Sequence, residues 1–130
     1  MENTIKERYV SPAIANMLKN IGFEVQCAKK YNSNNCIHDN VKINNEFLTN
    51  SQLFPNECSA PTQQITIDWI RINYGITISI VPTMIDQCTD VCYEALIWVN
   101  KTFDQHETSF VGEYKESVDS AIEYVIKNLI

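Results

Sequence analysis

Residues 59–81 read SAPTQQITIDWIRINYGITISIV, and the way this stretch divides decides the fold. Counted by twos, Ile65, Ile67 and Trp69 alternate as in a strand. Counted by threes and fours, Thr62, Ile65, Trp69 and Ile72 line one face of a helix. Local signals favour a helix over residues 61–73. Ser59 and Pro61 are start signals, Gln63 and Gln64 are good helix formers, and Gly75 can adopt the left-handed conformation that ends a helix. Ile67 then falls on the flank rather than in the core. Ser59 or Thr62 is expected to cap the helix, Pro61 to fix its entry, and Gln63 to hydrogen-bond a neighbouring loop. Past Gly75 the period changes. Ile76-Thr77-Ile78-Ser79-Ile80-Val81 alternates strictly, as a strand with one buried face does, and Pro82 ends it.

Downstream, a loop to Val91 leads to a second strand at Cys92–Val99. Tyr93, Ala95, Ile97 and Val99 share one face; Leu96 and Trp98 share the other. Apolar groups on both faces mark a central strand. His106-Glu107 falls in a polar stretch read as loop. The chain closes with an amphipathic helix over residues 114–129. Tyr114, Val118, Ala121, Ile122, Val125, Ile126 and Leu129 step by fours and threes, and Glu113 and Glu116 sit in the first turn where negative charge suits the helix dipole.

Upstream, residues 1–10 read as a charged arm. Ser11-Pro12 starts a helix over 12–20, carried by Ile14, Met17, Leu18 and Ile21 and stopped by Gly22. Phe23–Cys27 alternates as a short strand. Residues 28–57 are crowded with Asn32, Asn34, Asn35, Asn40, Asn44 and Asn45, whose side chains compete for backbone hydrogen bonds and favour turns. A second short strand is expected around Val41–Leu48 and loop elsewhere. The expectation is one α+β domain over 1–130: two or three antiparallel strands in a small sheet packed with three helices.

Composition narrows the function. The chain has 130 residues, enough for a real core, and a net charge of −6 with only two arginines, Arg8 and Arg71. Its one basic doublet is Lys29-Lys30. That balance argues against nucleic acid and anionic membranes as partners, and no apolar run reaches spanning length. Glu2, Lys6, Glu7 and Arg8 interrupt the first residues, so the cytoplasm is the expected compartment. Five cysteines, an odd number, then argue for free thiols.

One pattern resembles a family. Ser11, Ala15, Leu18, Gly22 and Phe23, then Ser59-Ala60-Pro61-Thr62-Gln63 leading to Trp69-Ile70-Arg71, then Tyr114, Glu116, Val118, Ala121, Ile122, Leu129 and Ile130 carry the likeness. It is similar to small uncharacterised proteins of Bacteroides-type bacteria, often encoded beside phage-like genes. The match covers about half the chain. Ile70 stands where Leu is usual, and Asn73-Tyr74 where a basic or His residue follows. The resemblance implies an α+β fold, and neither an activity nor binding residues.

Several constellations could carry chemistry, each with a simpler reading. Cys36, His38, Cys88 and Cys92 could supply four soft ligands to zinc, although Cys-x-His is tight spacing for a zinc site and the two pairs lie far apart; buried or loop thiols are the plainer account. Cys58, just before a helix start, could have a lowered pKa, with His38 or His106 as base. His38-Asp39 and His106-Glu107 read as solvated loop pairs. Thr62, Gln63 and Arg71 are the candidate binding residues, the first two because helix N-termini attract anions; structural roles are simpler. Trp69 and Trp98 could face a partner but sit in apolar periodic segments that read as core. A helix-turn-helix beginning at Ser11 lacks a second, basic helix. No cofactor is expected. The leading expectation is a non-enzymatic accessory or interaction protein, carried on a mobile element, with a protein partner or a second copy of itself docked on an exposed sheet face or edge. A zinc- or thiol-dependent enzyme and a DNA-binding regulator are the alternatives.

Overall fold

The computed structural model describes residues 7–83, 92–99 and 104–130, with side chains from Thr108 onward in the last stretch. Helices and antiparallel strands mix throughout, and the chain divides after Thr62 into two compact units.

In the first unit, α1 (Pro12–Asn20) starts and stops as its sequence predicts. Ser11 Oγ accepts the N–H of Ile14 at 3.3 Å. Gly22, at φ 89°, donates to the Lys19 carbonyl at 3.2 Å, and Phe23 donates to the Leu18 carbonyl at 3.0 Å. This paired closure needs a left-handed residue, which glycine supplies without steric cost. Ile14, Ala15 and Leu18 form the buried stripe. The expected arm is anchored at its end: Val10 is fully buried, donates to the Pro61 carbonyl and accepts the Tyr31 hydroxyl, while Tyr9 bridges Thr62.

The asparagine-rich middle is more ordered than a loop reading allows. β1 (Lys29–Tyr31) lies between β2 (Ile37–Asp39) and β5 (Cys58–Ser59), antiparallel to both. The single strand expected at Val41–Leu48 is instead a hairpin of β3 (Lys42–Ile43) and β4 (Glu46–Phe47). Its turn is Asn44-Asn45, with φ 54° and 64°, the doubly left-handed turn whose twist matches an antiparallel pair and which asparagine tolerates. A single 3₁₀ turn follows at Asn50–Gln52.

Phe23–Cys27 keeps the predicted alternation, with Phe23 and Cys27 buried and Glu24 and Gln26 exposed, but it joins no sheet. Side chains satisfy its polar groups instead. Asn50 Nδ2 donates to the Phe23 carbonyl at 2.8 Å and Asn40 Nδ2 to the Cys27 carbonyl at 2.9 Å. Gln26 Oε1 accepts the N–H of Phe47, and Glu24 Oε2 that of Ser51. A buried backbone carbonyl must find a donor, and here asparagine amides replace a neighbouring strand.

The second unit holds α2 (Gln63–Tyr74), a sheet of β6 (Ile76–Thr83), β7 (Cys92–Val99) and β8 (Asp104–Gly112), and α3 (Tyr114–Asn128). The predicted helix exists but starts at Gln63, because Ser59 belongs to β5 and cannot cap it. Its buried stripe is also displaced. Gln63, Thr66, Ile67 and Ile70 face inward, while Ile65 and Ile72 are exposed and Trp69 is half-buried. Ile67 is thus core, not flank. Gly75, at φ 68°, donates to the Arg71 carbonyl at 3.0 Å and turns the chain into β6.

β7 is central, as expected, pairing antiparallel with β6 in unbroken register and with β8 through an irregularity. There Leu96 pairs with Ser109 and Trp98 with Gln105, so a two-residue step on β7 meets a four-residue step on β8. β8 replaces the loop predicted around His106; its polar sequence shows no alternation, and pairing with β7 makes it a strand. α3 packs on all three strands, burying Val118, Ala121, Ile122, Val125 and Ile126. Edge-to-face rings join Tyr93 to Tyr114 at 5.1 Å, and Phe110 meets Tyr124 at 5.7 Å.

Candidate interaction face

Those ring contacts define the inner face of the β6–β7–β8 sheet, which carries Ile76, Ile78, Ala95 and Ile97 under the helices. Side chains alternate along a strand, so the intervening residues point the other way. Register then lays out the described outer face in rows: Thr77–Trp98, Ser79–Leu96–Ser109, Val81–Glu94–Val111 and Thr83–Cys92. Leu96 and Trp98 are half-buried along the middle strand, and Val81 and Val111 are 36% and 48% exposed at either side. Trp98 therefore does not sit in the core, and neither does Trp69, whose ring meets Tyr74 edge-on at 5.5 Å. Glu94 is the one charged side chain described on this face, and no cation pairs with it among the described residues.

Of the residues singled out from sequence, Trp98 is on this face and Cys92, at the start of β7, shares its alternation; the other described ones lie outside β7. Cys36 and His38 are exposed on and beside β2 in the first unit. Cys92 opens β7 in the second unit, and Cys88 lies outside the described residues. Among the described residues no three His, Cys, Asp or Glu side chains gather to hold a metal.

The geometry around His38 also bears on the thiol reading. Asn32 Oδ1 accepts the N–H groups of Asn34 and Cys36 at 2.9 and 3.0 Å, which fixes the amide orientation. Its Nδ2 therefore donates to His38 Nε2 at 2.8 Å. The ring nitrogen that could take a thiol proton is already an acceptor, and Nδ1 carries the hydrogen of the neutral imidazole. Asn32 thus occupies the lone pair a base would use.

Cys58 lies in a strand instead of a helix-cap region and lacks the lowered pKa weighed for it as an alternative. It is buried in β5, separated from α2 by Ser59–Thr62, and burial pushes its thiol up, with Lys19 pulling weakly the other way. Cys27 is pushed up to about 12 by the same desolvation. His106 lies on β8, and its side chain is outside the described set.

Gln63 reaches a helix and not the expected loop. Its Nε2 donates to the Lys115 carbonyl at 3.0 Å and to Asp119 Oδ1 at 2.9 Å, tying α2 to the first turns of α3. Thr62 immediately precedes α2, and Arg71 is exposed, 3.8 Å from the Asp68 carboxylate. The basic doublet is neutralised: Lys29 pairs with Asp39, and Lys30 with Glu57 at 2.7 Å.

Charge divides unevenly along the chain. Up to Thr62 six basic residues balance six acidic ones; from Gln63 onward four basic residues face ten acidic, so the whole net charge of −6 belongs to the second unit. The sequence puts Leu96 and Trp98 on a common face but gives no sign of Val111, because the polar run of β8 shows no strand alternation. The alternation of β6 does point to Val81. No helix among the described residues is long and apolar enough to cross a membrane. Compared with protein families, curated proteins and solved structures, the chain matches none.

Proposed function

We propose that this is a non-enzymatic interaction protein that docks a protein partner on the outer face of its β6–β7–β8 sheet. The observation that carries the reading is the pair of exposed valines, Val81 and Val111, flanking a middle strand that presents Leu96 and Trp98 on the same face. Aromatic and aliphatic groups at the centre of a patch with hydroxyls beside them suit the buried centre of an interface. The occupied lone pair of His38 and the raised thiols of Cys27 and Cys58 weigh against thiol catalysis.

The test is site-specific crosslinking in the cells that make the protein. A photoactivatable residue at Val111 is expected to yield adducts of defined mass, and one at Ser120, exposed on α3, to yield none. Equal adducts from both positions, or none from Val111, would reject the reading.

A further inference from the structure

We infer that the partner brings a lysine or arginine set among apolar side chains, and that Glu94 receives it. The inference rests on reading the outer sheet face as the docking surface. Glu94 lies in register between Val81 on β6 and Val111 on β8. With strands about 4.8 Å apart, the two valines stand roughly 10 Å from each other across the carboxylate. A purely apolar partner seated on both valines would strip water from Glu94 and leave it unpaired, which costs more than the contact returns. A cation inserted between the valines turns that penalty into a charge-assisted hydrogen bond.

A second copy of this chain fits poorly. In a two-fold interface the same patch meets itself, so the face must supply its own counter-charge. No Lys, Arg or His side chain is described on the outer face. The second unit also holds the whole net charge of −6, so two such faces repel while a basic partner is drawn in.

The probe is a short peptide of alternating leucine and lysine, titrated into isotope-labelled protein while backbone amide shifts are followed, beside a leucine–glutamine peptide of the same length. The expected result is that the lysine peptide shifts Val81, Leu96 and Val111, that Glu94→Gln weakens it about tenfold or more, and that Glu116→Gln on α3 does not. Equal binding of both peptides at this face would keep the docking surface and overturn the cation. Shifts confined to α3, or none on the sheet with either peptide, would overturn both. Concentration-dependent self-association that broadens Val81 and Val111 would overturn the inference in favour of a second copy.

Discussion

Asn34 and Asn50 are the same residue type in the same polar stretch, yet only Asn50 belongs to the core. Its Nδ2 satisfies the Phe23 carbonyl and its Oδ1 accepts the N–H of Ser59 at 2.8 Å, joining three separate segments. Asn40 does the same for the Cys27 and Leu48 carbonyls. Composition marks asparagine as a turn former, because its side chain bonds nearby backbone. It does not say whether that backbone is close in sequence or distant. Replacing Asn50 by alanine orphans a buried carbonyl and a buried N–H, at about 1–3 kcal/mol for each. Asn50→Ala is therefore expected to lower unfolding free energy by about 2–5 kcal/mol, and Asn34→Ala by under about 1 kcal/mol. Urea titration followed by circular dichroism measures both, and equal losses would mean that Asn50 is no clip.

At the scale of the element, α2 shows how a correct helix can carry an incorrect face. Ile65, Trp69 and Ile72 are the conspicuous apolar residues, and they share a helical stripe. The buried stripe instead runs Gln63, Thr66, Ile67, Ile70, with two polar members. It too follows the spacing of three and four, but an apolar count gives it only two votes. Gln63 can be inside because its amide reaches Lys115 and Asp119 on α3. That partner, 52 residues away along the chain, is invisible to any local window. The two faces separate cleanly by mutation. Ile70→Ala is expected to cost about 2–5 kcal/mol, as large-to-small changes in cores do. Ile72, 70% exposed, is expected to tolerate alanine within about 0.5 kcal/mol. Thermal melts of the two variants decide it; a larger loss at Ile72 would restore the sequence-derived face.

Over the whole molecule, the places where carboxylates are held ionised predict where acid acts. Lys30 hydrogen-bonds Glu57 and holds its carboxyl below the usual range, and Lys29 does the same for Asp39. Burial raises Glu24, but hydrogen bonds from Thr49 and Ser51 outweigh it and leave that carboxyl lowered. All three belong to the first unit. A carboxylate with a lowered folded-state pKa binds fewer protons folded than unfolded, so its stabilisation is complete above the unfolded value and fades as pH falls through the folded one. The first unit is therefore expected to lose stability below about pH 4.5, the ordinary glutamate value, and Glu57→Gln to make that loss shallower. Amide exchange of residues 29–31 and 58–59 at neutral and acid pH measures it. An acid response unchanged by Glu57→Gln would remove the ion pair from the account.

Local sequence carried the three helices, the strands beginning at Ile76 and spanning 92–99 and the central place of the latter, because caps, glycine stops and period-two alternation act within a few residues; it misplaced the end of β6, which pairs on through Pro82 to Thr83 instead of stopping at Val81. It also determined the acidic balance. Tertiary structure alone decided the rest. β8 is a polar run that becomes a strand only by pairing with β7, Phe23–Cys27 alternates yet finds asparagine amides in place of a ladder, and Val81, Glu94 and Val111 become neighbours only through the register of three strands. The reason is common to all of these: the partner of each group is distant along the chain, and a local pattern carries which side chains are apolar but not which distant group will be there to meet them.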